Sequence, residues 1–128
     1  YWQDYRLSTR IKITETSYDF EELLINFRDN GESHYSLGLK ASDDSSDGFI
    51  GLRVDVNGTF LGYFSTAIVD LELNRWYDIA IDIEENIFTV FIDGEQVLQG
   101  NDLLLTKGSI GFLSSPDAKV QLSDIRLD

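Results

Sequence analysis

The stretch Arg75–Gln96, RWYDIAIDIEENIFTVFIDGEQ, carries two runs of strict alternation, Tyr77/Ile79/Ile81/Ile83 and Phe88/Val90/Ile92, on either side of the polar break Glu84-Glu85-Asn86. A period of two marks a strand with one buried face, so the pair predicts an antiparallel hairpin. Asp93-Gly94 signals a second tight turn, because a two-residue hairpin loop needs residues that tolerate positive φ. The apolar face of this hairpin must be covered by the rest of the chain.

Outward from it, the same period recurs. Tyr5/Leu7/Thr9/Ile11/Ile13, Leu23/Ile25/Phe27, Tyr35/Leu37/Leu39/Ala41 and Ile50/Leu52/Val54/Val56 all alternate with polar or small residues. Asp29-Asn30-Gly31 and Asn57-Gly58 are turn signals between them. Phe60–Ala67, Val97–Leu105, Ser109–Ser114 and Lys119–Asp128 complete a series of short strands, and no segment has helical periodicity. Strands at roughly ten-residue spacing with turn chemistry between them predict an all-β sandwich or barrel. The 128 residues are expected to form a single domain spanning 1–128, large enough to bury roughly two-thirds of its unfolded surface.

Composition narrows the partners. Lys and Arg number 10 against 23 Asp and Glu, a formal charge of −13 that repels phosphate backbones and anionic lipid, so neither nucleic acid nor a membrane is an expected partner. Self-repulsion at that charge favours a monomer. Cysteine is absent, which removes disulfides, thiolate metal sites and a thiol nucleophile. No apolar run reaches the ~20 residues of a membrane helix. The chain starts Tyr1-Trp2 and has no methionine, as expected of a piece of something longer.

Ile25-Asn26-Phe27-Arg28, Tyr35-Ser36-Leu37, Trp76-Tyr77 with Ile79 and Ile81, Ile87–Gly94 and Gly108-Ser109-Ile110-Gly111-Phe112 occur in an order that resembles the concanavalin A-like (laminin G-like) jelly-roll superfamily. Within it the chain is most similar to non-catalytic carbohydrate-binding modules and 3-keto-disaccharide hydrolase-like domains. The resemblance implies a two-sheet antiparallel jelly-roll β-sandwich with first and last strands adjacent, and often sugar binding on one sheet. It leaves function to be argued from a site.

If the apolar sets point inward, Asn26, Arg28, His34, Ser36, Arg53 and Asp55 share the opposite face of three neighbouring strands. Arginine forks with carboxylate and amide acceptors suit a network of sugar hydroxyls. Gly38 and Gly51 on that face are expected to leave room for a ligand ring. A plainer reading of Arg28 and Arg53 is surface ion pairing that screens an acidic protein. Sugar rings also pack on aromatic faces; Trp2, Tyr18, Phe49, Phe60, Tyr63 and Phe64 are candidates, with Phe49 preferred because its parity puts it beside Arg53.

Asp43, Ser45, Asp47 and Gly48 follow the D-x-S-x-D-G spacing of a calcium loop, although Val54 stands where the bidentate glutamate of such a loop belongs. A solvated acidic loop is the simpler identity; the alternative is a structural calcium held here by Asp43, Ser45 and Asp47 or, as the resemblance implies, near Asp4, Glu22 or Asp124. Asp78, Asp82 and Glu84 share one strand face, and the i, i+2 pair Asp82/Glu84 lies ~7 Å apart, near the spacing of glycosidase carboxylate pairs. Glycoside hydrolases of this fold use an E-x-D-x-x-E pattern that Asp82-Ile83-Glu84-Glu85 lacks, and a charged face that blocks aggregation is the simpler identity. The only histidine, His34, leaves no scope for a His-rich metal site.

Together these features predict a non-catalytic carbohydrate-binding module recognising a polysaccharide or oligosaccharide, extracellular or periplasmic, and part of a larger polysaccharide-active enzyme. The alternatives are a laminin G-like protein-interaction or adhesion domain and a small glycoside hydrolase.

Overall fold

The structure is a computed structural model that describes residues 4–16, 21–44 and 46–128. Among these the regular elements are all strands: β1 (Tyr5–Glu15), β2 (Leu23–Asp29), β3 (His34–Lys40), β4 (Gly48–Val56), β5 (Thr59–Val69), β6 (Tyr77–Glu84), β7 (Ile87–Ile92), β8 (Glu95–Asn101), β9 (Ser109–Ser114) and β10 (Lys119–Leu127). They form two five-stranded antiparallel sheets, ordered β10-β1-β6-β7-β8 and β5-β4-β3-β2-β9. This is the jelly-roll sandwich, with the first and last strands paired from Leu7↔Leu127 to Glu15↔Lys119.

The Arg75–Gln96 stretch folds as its pattern requires. Ile79, Ile81 and Ile83 of β6 lie opposite Ile92, Val90 and Phe88 of β7. Glu85 takes φ 53° in the turn between them, and Asp93-Gly94 takes φ 51° and 81° in the next. Positive φ at both central residues is the geometry that matches strand twist in a two-residue hairpin. Asn57-Gly58 repeats it, at 51° and 81°.

The alternating sets of both sheets meet in one core that includes Leu7, Ile11, Ile25, Leu37, Leu52, Ile81 and Val90. At one end Phe27, Tyr35 and Phe88 stack in a cluster with ring centroids 4.9–5.5 Å apart, and Phe64 joins it edge-on. Phe64 reaches inward because β5 is bulged: Leu52 pairs with Ser65 and Arg53 with Tyr63, leaving Phe64 as the extra residue. The bulge lets Phe64 enter the core while its neighbour Tyr63 stays on the outer face.

A second bulge corrects the expected position of Arg28. β2 pairs with β9 at Asn26↔Gly111 and next at Asp29↔Ser109, so Phe27 and Arg28 stand against Ile110 alone. Arg28 adopts φ 47°, and its side chain is turned off the polar face into the end of the core, where it is 2% exposed. Its Nη1 donates to the Leu105 carbonyl at 3.2 Å, Nη2 lies 3.6 Å from Asp4 Oδ1, and the guanidinium sits 5.2 Å from the centre of the Phe88 ring. Its backbone N–H donates to the Tyr5 hydroxyl at 3.2 Å. Arg28 thus ties the two sheets together. The neighbouring Gly108, at φ 156°, is needed because a Cβ there would come within 2.3 Å of the Arg28 backbone.

Candidate functional site

The polar face of the β5-β4-β3-β2-β9 sheet is ordered by its register. Asn26, Ser36, Arg53 and Tyr63 lie in one row across β2, β3, β4 and β5. The adjacent row is His34, Asp55 and Phe60. On the other side run Leu113, Leu24, Gly38, Gly51 and Thr66.

Arg53 is the centre of this surface. Nε donates to Asp55 Oδ1 and Nη2 to Asp55 Oδ2, each at 3.1 Å, a fork-to-fork pair between residues two apart on one strand face. Its guanidinium lies 4.0 Å from the Phe60 ring centre, and Nη1 lies 3.8 Å from Glu21 Oε2. The arginine side chain is 14% exposed, so it is held in one geometry rather than swinging in solvent as surface ion pairs do. His34 Nε2 sits 3.9 Å from Asp55 Oδ2. Ser36 Oγ donates to Asn26 Oδ1 at 2.7 Å, which fixes the amide, and the Asn26 side-chain nitrogen makes no hydrogen bond among the described residues.

Asn26, His34, Arg53 and Asp55 are therefore brought together as their parity predicts, and Arg28 is not. Phe49 shares the face but is not the aromatic nearest Arg53; it packs edge-on against Tyr63 at 5.3 Å, and Tyr63 packs on Phe60 at the same separation. Phe60 and Tyr63 are the exposed members of this row, at 46% and 39%. The bulges of β5 shift both rings relative to simple alternation. Of the other expected platforms, Trp2 and Tyr18 lie outside the described residues and Phe64 is partly buried against the core.

The glycine expectation also changes. A Cβ on Gly51 would lie 2.7 Å from the Tyr63 ring and 2.9 Å from the Phe49 ring, while one on Gly38 would lie 2.9 Å from the Glu21 side chain. These glycines admit the chain's own side chains onto the sheet, leaving no open floor above them. Glu21 was not anticipated as part of the site: it precedes β2, beyond the alternating run, where parity gives no direction. One of its carboxylate oxygens, Oε1, is buried with no hydrogen-bond partner.

In the acidic loop, Asp43 Oδ1 accepts from the Ser46 amide at 2.8 Å and the Ser46 hydroxyl at 3.2 Å, the pattern of a side chain closing its own turn. Ser45 lies outside the described residues, and Asp47 is exposed. Asp4 Oδ1 accepts from the Glu85 amide, and Glu22 pairs with Lys40 Nζ at 2.9 Å. Among the described residues no three of His, Asp and Glu converge as metal ligands. Asp78 and Asp82 lie on the outer face of the other sheet, 3.2 Å and 3.4 Å from Arg10 and Arg6 of β1.

No protein-family model matches the chain, and no curated protein matches it. Solved structures do. A carbohydrate-binding module of the CBM66 type from Bacillus subtilis superposes with a TM-score of 0.84 at 16% identity, over 99% of this chain and 76% of that one. The Caenorhabditis elegans galectin LEC-6 gives 0.69 at 13% identity, over 97% and 83%. CG-16, a homodimeric agglutinin from chicken liver, gives 0.72 at 14%, over 98% and 92%. At these identities the likeness is one of fold.

Proposed function

We propose that the β2–β5 face binds a glycan and does so without turning it over. The observation that carries this is the Arg53–Asp55 fork, held rigid beside the half-exposed rings of Phe60 and Tyr63. Sugars present two kinds of surface, hydroxyls at the rim and C–H groups on the ring face, and this site has a match for each. The Arg53 and Asn26 nitrogens donate, the Asp55 carboxylate accepts, and His34 does either according to its tautomer. The aromatic row supplies the apolar platform. Similar folds include a carbohydrate-binding module, a galectin and an agglutinin, which supports the reading.

The absence of turnover in this reading rests on the acidic row of β6. Asp78 and Asp82 are each set against an arginine of β1 on the far sheet, which suits a charged outer face better than an acid/base pair. Extracellular or periplasmic placement, as a module of a larger polysaccharide-active protein, goes with the glycan reading and rests on it alone. The test is a glycan array followed by calorimetric titration of the responding sugar. Saturable binding to at least one glycan supports the proposal, and silence across the array contradicts it.

A further inference from the structure

Beside Arg53 the same face opens into a cleft of about 350 Å³ lined by Glu21, Leu24, Arg53, Leu113, Ser114, Ser115 and Pro116. Its walls are mainly hydrocarbon. Leu24 and Leu113 are cross-strand partners on β2 and β9, and Leu113 is 58% exposed, so the pair offers apolar surface at the mouth of the cleft. The Ser115 groups at its margin are already spent, since the hydroxyl donates to the Glu21 carbonyl at 2.7 Å and the amide to the Glu22 carbonyl at 3.2 Å.

Glu21 stands between this cleft and the arginine. Its side chain is 10% exposed, Oε2 is 3.8 Å from Arg53 Nη1, and Oε1 is pressed over Gly38 without a donor. A buried carboxylate oxygen with no donor is costly, and a ligand hydroxyl is the group that relieves it. The terminal torsion of a glutamate is broad, so the carboxylate can turn to bring an oxygen toward the cleft; Oε1 gives up no hydrogen bond, and the turn also moves Oε2 from its 3.8 Å contact with Arg53.

We infer that the glycan carries a methyl group in place of a hydroxymethyl, a 6-deoxy sugar, with that methyl in the Leu24/Leu113/Pro116 cleft and a neighbouring hydroxyl donated to Glu21. The inference rests on the glycan-binding reading above and deepens it. A hydroxymethyl in the same place would set its oxygen against the hydrocarbon of Leu24, Leu113 and Pro116, with Ser114 and Glu21 as the polar groups at the margin. A carboxylate there would meet the negative charge of Glu21 beside an Arg53 already paired with Asp55, and an acetamido group would find the Ser115 donors occupied.

Calorimetric or NMR titration with matched methyl glycosides decides it: D-fucose against D-galactose, L-fucose against L-galactose, and L-rhamnose against L-mannose, with N-acetylglucosamine and a glucuronide alongside. At least one 6-deoxy sugar is expected to bind about five- to tenfold tighter than its hydroxymethyl counterpart. Leu113→Ser is expected to lower affinity for the 6-deoxy sugar to that of its hydroxymethyl counterpart, with thermal melting as the check that the variant is folded. Glu21→Gln is expected to weaken both members of the pair. Equal affinity within every pair, or tighter binding of a hydroxymethyl, acetamido or acidic sugar, overturns the 6-deoxy assignment and leaves glycan binding standing. No binding by any sugar overturns both.

Discussion

Arg53 and Asp55 face each other along one strand through two parallel hydrogen bonds of 3.1 Å, and the Phe60 ring lies 4.0 Å from the same guanidinium. Two of the arginine's nitrogens are thereby committed to a carboxylate, and Nη1 is directed toward Glu21 and the cleft. The carboxylate in turn is oriented by the arginine. Such a pair presents donors and acceptors to a ligand with little ordering left to do on binding.

Arg53→Lys keeps the charge and loses the fork. Affinity for the responding glycan is expected to fall about ten- to a hundredfold, as when a hydrogen bond to a charged group is removed. Thermal melting should fall modestly, because the Asp55 side chain is only 15% exposed and loses one of its two donors. Calorimetry on the variant checks this, and unchanged affinity would remove Arg53 from the site.

Phe60→Ala tests the platform. The ring is 46% exposed and covers the Arg53 guanidinium, so its loss is expected to weaken glycan binding about three- to tenfold. Phe49→Ala, at a ring packed on Tyr63 away from Arg53, should have the smaller effect. The reverse order would restore the platform that strand parity alone suggests.

Arg28→Ala separates structure from binding. It deletes a buried side chain that bonds the Leu105 carbonyl and packs on Phe88, so denaturant unfolding should show a loss of about 2–4 kcal/mol. Affinity per folded molecule should stay within about twofold of the parent value, well inside the range of a lost contact. A large loss of affinity at unchanged stability would return Arg28 to the ligand.

Alkali should act on the same end of the core. Burial raises the phenols of Tyr5 and Tyr35 above their ordinary value of 10.0, against the opposing pull of the backbone N–H bonds they accept from Arg28 and Leu105. An acid whose folded value is raised holds its proton longer when folded, so this contribution is complete below about pH 10 and is lost as pH rises above it. Melting temperature is expected to decline from about pH 10 upward, and less steeply in Tyr35→Phe. A profile identical in the two proteins would contradict the assignment.

Much of this molecule can be read from its residues because its strands alternate so strictly. Tyr77/Ile79/Ile81/Ile83 and Phe88/Val90/Ile92 place one wall of the core directly, and Asn57-Gly58 and Asp93-Gly94 take the turn geometry their composition requires. The same parity gathers Asn26, His34, Arg53 and Asp55. It fails wherever a bulge adds a residue: Arg28 is carried inward at one, and the rows of Phe60 and Tyr63 are displaced at two others. Glu21 was hidden for another reason, since it reaches the site from before a strand, where periodicity carries no direction.

The most direct test of the account is an amide NMR titration of the full chain with the glycan selected by the array. The largest shifts are expected at Asn26, Ser36, Arg53, Asp55 and Phe60, spreading toward Leu24 and Leu113, with the β1 and β6 outer face unmoved. Shifts centred on Arg10, Asp78 and Asp82, or on the Leu103-Leu104 loop, would contradict it.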